Sequence, residues 1–170
     1  RGNAMMNGTI DASVIGLFTM NMLMEKQPGQ WKVLPLEGVS ATDDALFARL
    51  DWLQENEAVV GELLKELLLM YRRIQADPSY ANELKDQYNL MPDLPPEITA
   101  QIPSYYTTAS RRGLYKVNGG GEQAAKTDLS FYHIAGQLKG DEGSFKVEDF
   151  WYLKPLNDVL DEIGHVSINY

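Results

Sequence analysis

Few residues in this chain of 170 carry chemistry, and they are scattered. The two histidines, His133 and His165, lie far apart and in no metal-ligand spacing such as H-E-x-x-H. There is no cysteine. Thiolate zinc, thiol catalysis and disulfides are excluded with it. No G-x-S-x-G, P-loop or G-x-G-x-x-G is present. "NGGGEQ" (Asn118 to Gln123) has contiguous glycines and no strand before it, which sets it apart from a phosphate loop. Glu148-Asp149 and Asp161-Glu162 read as helix-dipole partners or solvated faces. Asp43-Asp44 falls where a loop feeds a strand candidate, the place where ligands meet α/β proteins, and also suits a plain turn or cap. The best candidate site is "GTIDASVIGLFTMN". Its strand candidate stops at Ile15-Gly16 and a helix begins near Leu17, so unpaired backbone N–H groups would point outward there. The candidate ligand-binding residues are therefore Gly16, Phe18, Thr19, Asp43 and Asp44. Phe18 could stack on a ligand or sit in the core. Thr19 could donate a hydrogen bond or serve as an N-cap. Asp11 reads as a structural residue at the strand's entry. No metal or cofactor is expected.

The elements that must hold these residues read as follows. A helix runs out at Asn7-Gly8. Strand candidates are Thr9 to Ile15, Trp31 to Leu36 and Ala45 to Arg49, with a short apolar helix over Leu17 to Lys26 between the first two. That strand–helix–strand grammar predicts an α/β fold. From Asp51 the chain turns helical. Apolar rows at Val59, Leu63, Leu67, Met70, Ile74 and at Val60, Leu64, Leu68, Tyr71 predict a long helix with a broad buried stripe, stopped by Pro78. Further helices are predicted after Pro78, from Pro96, over Glu122 to Gly140, and in two short pieces near the end, the second opened by Pro155 and closed by Gly164.

Composition narrows the function classes. Of the residues 44% are hydrophobic, enough for a real core. The formal net charge of -9 argues against nucleic acid, and Arg72-Arg73 and Arg111-Arg112 read as solvated helix faces or ends. No apolar run reaches the roughly 20 residues of a membrane helix.

Four stretches, in order, resemble a known family: "AMMNGTIDASVIG", "DALFARLDWLQENEAVVGELLKELLLMYRRIQADP", "AAKTDLSFYHIAGQLKGD" and "KVEDFWYLKPLNDVLDEIG". Together they resemble the C-terminal half of the periplasmic substrate-binding proteins of ABC importers, of the nitrate/sulfonate/taurine and thiamine-pyrimidine-precursor type. The resemblance implies part of a two-lobed type II periplasmic-binding fold without its N-terminal lobe strands. Residues 1–40 would complete the second lobe, 41–50 would form a hinge return strand, and 51–170 a helical part packing on the first lobe. It implies a small organic or anionic ligand (sulfonate, taurine, nitrate or pyrimidine-like), delivery to an ABC permease, no enzymatic turnover, and a periplasmic location or a lipoprotein outside a Gram-positive cell. The signal segment and first lobe would lie outside this chain, leaving a fragment that pairs with its missing half or with itself. Two alternatives are a pyrimidine-precursor synthase of the same superfamily, which the absence of cysteine opposes, and a ligand-free helical interaction or regulatory domain.

Overall fold

The computed structural model describes residues 1–34 and 45–167. Among them every regular element is helical: α1 (Gly2–Met6), α2 (Leu17–Lys26), α3 (Leu50–Glu55), α4 (Glu57–Ala76), α5 (Tyr80–Gln87), α6 (Pro96–Thr99), α7 (Ile102–Arg111), α8 (Gly121–Ile134) and α9 (Lys154–Ile163). Two 3₁₀ turns, Glu142–Ser144 and Val147–Asp149, link α8 to α9.

The predicted α/β class, and with it a type II periplasmic-binding architecture, is overturned: no described residue is in a strand. The reason is hydrogen bonding. A strand exists only as part of a ladder. The amides of Thr9 and Ile10 are spent on the Ala4 carbonyl, closing α1, and the following segment runs irregularly to Gly16. The third strand candidate, Ala45 to Arg49, is irregular chain leading into α3, with Phe47 almost wholly exposed. Of the second, Trp31 to Leu34 is irregular; Pro35 and Leu36 lie outside the described residues.

The helices follow local chemistry more closely. α1 ends at Asn7, where Gly8 takes a positive φ of 67° that a glycine adopts without strain. Pro96 and Pro155 stand in the first turns of α6 and α9, where a missing N–H costs nothing. α8 stops at Ile134, short of the expected Gly140, because Gly136 turns the chain at φ 72°.

One interface gathers a packed cluster of three buried apolar residues. α4 lies along α9, burying Leu68, Val159 and Leu160 against the half-buried Leu64, Leu156 and Ile163. Polar bonds fix its two ends. At one end, the Tyr152 hydroxyl and the Lys154 ammonium (2.7 Å) both donate to the Glu57 carboxylate, and Lys154 also reaches Asp158. At the other, Arg72 donates to the carbonyls of Val117 (2.9 Å), Ile163 (3.3 Å) and Gly164 (2.6 Å) and to Asn118 Oδ1 (3.1 Å). Arg72 is thus a structural anchor, unlike the solvated residue its sequence position suggested. Its neighbour Arg73 is exposed and lies over the Tyr80 ring, 3.7 Å from the centroid.

The glycine run has a packing explanation. Gly119 (φ 67°) sits so close to α9 that a Cβ would come within 2.9 Å of Leu156. The loop lets the segment between α7 and α8 press onto the core.

Elsewhere burial is thin. The chain leaves 12191 Å² accessible, where size scaling gives roughly 8,400 Å² for a folded monomer of 19.1 kDa. A run of large apolar side chains, Leu46, Phe47, Leu50, Trp52, Val59 and Leu63, is exposed along the entry to α4 and its first turns.

Candidate functional site

The helix predicted after Gly16 begins there. Gly16 is the N-cap of α2, extended at φ -69° and ψ 158°, and no side chain caps the helix end. Three residues later Thr19 packs inward: its methyl lies where a side chain on Gly2 would be, so it locks α1 to α2 and faces away from any ligand. Leu23, 1% exposed, anchors the same side of the helix.

The other side of α2 is open. Phe18, Asn21 and Glu25 recur at helical spacing and, with Met24, form one wall of a cleft of about 450 Å³. The opposite wall comes from the α6–α7 junction: Ala100, Gln101, Ser104 and Tyr105. The volume lies in the range of small-molecule sites, roughly 300–1,000 Å³.

The α7 wall is pre-set. Tyr105 meets Tyr106 edge-on (5.3 Å between centroids), Tyr106 stacks on Tyr115 (5.8 Å), and Tyr115 leans on Tyr71 of α4 (5.5 Å). This chain of rings ties the cleft wall to the long helix. Burial, with the neighbouring tyrosines, pushes the Tyr115 and Tyr106 phenols up from their ordinary range, as expected for rings half out of water. Across the cleft, the Gln101 amide donates to Glu25 Oε2 at 3.3 Å. Its other end, Oε1, is shielded from water and has no hydrogen-bond partner among the described residues. An unpaired buried acceptor of this kind is costly to stability.

Of the residues the sequence proposed, Phe18 lines the cleft, Gly16 lies at the exposed start of its helix, and Thr19 is on the packed side. Asp43 and Asp44 lie outside the described residues. Sequence reasoning missed Asn21 and Glu25, although their i+3 and i+7 spacing from Phe18 was visible. It also missed Gln101, Ser104 and Tyr105, which no local pattern connects to α2.

A second hollow of about 330 Å³ lies between α8 and the 3₁₀ turns, lined by Glu122, Lys126, Phe145 and Glu148 among others. Glu122 and Lys126 pair with each other one turn apart, and Lys146 and Glu148 add one further charge of each sign. His133 is half-buried near Phe145 and His165 is exposed. Among the described residues no group of three or more His, Asp or Glu could hold a metal ion, and no helix is long and apolar enough to cross a membrane.

Comparison with protein-family models, with curated proteins and with solved structures finds no match to this chain.

Proposed function

We propose that this chain is a binding module that takes a small organic solute between α2 and α7, without turnover. The observation that supports it is the cleft itself, with an aromatic ring on each side, Phe18 and Tyr105. Among the described residues, no arrangement of nucleophile, base and orienting group faces it. As a component of an ABC importer, exported and handing its solute to a permease, the chain would match the four ordered segments that resemble that family; this further part of the proposal is carried by sequence alone.

The test is a thermal-shift panel of nitrate, alkanesulfonates, taurine, aromatic acids, aminopyrimidines and amines. Binding to the folded form alone raises the midpoint, by an amount that grows with concentration. At least one class should stabilise the wild type and fail to stabilise Phe18→Ala and Tyr105→Ala. A flat response across the panel would sink the proposal.

A second reading, a helical interaction domain, is favoured by the exposed apolar run from Leu46 to Leu63. Its test is sedimentation velocity: a concentration-dependent rise in mass that Phe47→Ser and Leu63→Glu abolish supports it, and a strict monomer counts against self-docking through this face.

A further inference from the structure

The charge of the solute can be read from the cleft's lining. The resemblance implies a small organic or anionic ligand, nitrate, sulfonate, taurine or pyrimidine-like, and leaves its charge open. The lining residues are Phe18, Asn21, Met24, Glu25, Ala100, Gln101, Ser104 and Tyr105. None is basic. An anion would enter without a counter-charge and would meet the Glu25 carboxylate, whose single hydrogen-bond partner among the described residues is the neutral Gln101 amide.

Resting on the proposed cleft above, we propose that its ligand is an aromatic organic cation, an arylmethyl ammonium or an aryl amidinium. Three features fit that class. Glu25 supplies a full negative charge at the rim. The Phe18 and Tyr105 rings line the cleft and bring aromatic and apolar area to the body of the cation. Asn21 and Ser104 each add a side-chain acceptor.

Two features act the other way. The first turns of α2, at Phe18, and of α7 both form part of the wall, and each helix N-terminus carries about half a positive charge. Pro103, in the first turn of α7, has no N–H to give. Glu25 is the one full charge among the described residues of the lining.

The experiment uses a matched series with one ring and three charges: benzylammonium, benzyl alcohol and benzenesulfonate. Binding to the whole chain is read by thermal shift and by ¹H–¹⁵N spectra. The expected result is a midpoint raised by benzylammonium, weakly by the alcohol and not by the sulfonate, with amide shifts confined to residues 18–25 and 101–105. Glu25→Gln should weaken benzylammonium by roughly tenfold or more, the loss of one charge-assisted hydrogen bond. Glu25 is exposed, so this variant keeps its helices, checked by circular dichroism. Glu25→Lys should reverse the preference towards benzenesulfonate. If benzenesulfonate binds the wild type as well as benzylammonium does, and Phe18→Ala abolishes both, the cation assignment is overturned while the cleft stands as a solute site. If benzylammonium binds but Glu25→Gln leaves it unchanged, the assignment is likewise overturned. If no member of the series binds, and the broader panel is also flat, cation assignment and solute site fall together.

Discussion

The α4–α9 interface and the α2–α7 cleft are built by opposite means. The first is dry and heavily bonded: Leu68, Val159 and Leu160 are buried, and Glu57 and Arg72 clamp its two ends. The second is half open, with one weak side-chain bond across it, from Gln101 to Glu25. Both are made of amphipathic helices. What differs is whether the polar groups are spent on each other. Where they are, the structure gains rigidity and offers nothing to a ligand. Where they are not, stability is low and recognition becomes available.

Removing atoms from the tight side should cost most. Leu68→Ala leaves a cavity between α4 and α9 and should lower stability by roughly 2–5 kcal/mol, seen as an earlier urea midpoint. Phe18→Ala, on the open side, should leave that midpoint nearly unchanged. Equal losses at both sites would break the contrast. Arg72→Leu removes four donor contacts to two chain segments at once. It should cost roughly 2–3 kcal/mol, since hydrogen bonds to charged groups are the stronger kind. Gly119→Val combines a strained backbone with a clash on Leu156 and should cost about 1–3 kcal/mol; a neutral outcome would show that the loop does not press on the core.

Acid provides a gentler probe. The Lys154 hydrogen bond, helped by that of Tyr152, holds the Glu57 carboxyl below its ordinary range. A lowered native value means that the carboxylate's stabilising contribution is present above the ordinary value of 4.5 and is lost as pH falls below it. The wild type should therefore lose stability below about pH 4.5 more steeply than Glu57→Gln does, compared by urea unfolding at several pH values. The effect should be modest because the pair is solvated.

Legibility in the sequence followed the range of the interactions. α2 was readable at both ends, Leu17 and Lys26, because apolar content and "QPGQ" are local signals. So were Pro155 and Gly164 around α9. The stripe of α4 was readable too, although only its later part, Leu68 and Ile74, is buried, while Val59 and Leu63 stay exposed. The strands failed for a non-local reason. β-rich composition in "TIDASVI" states a preference for a pleated neighbour, and the structure gives it none. At the cleft, Phe18 was legible as an aromatic near a helix start. Tyr105 was not, since it reaches Phe18 only through the packing of α7 on α2.

The bond from Lys154 to Glu57 joins residues 97 positions apart. During synthesis at roughly 5–20 residues per second, α4 would emerge about 5–20 s before the helix that covers it. Through that interval Leu64 and Leu68 have no cover, and the stripe is a natural holding surface for a chaperone. The order of the chain thus sets a waiting time into the birth of the protein.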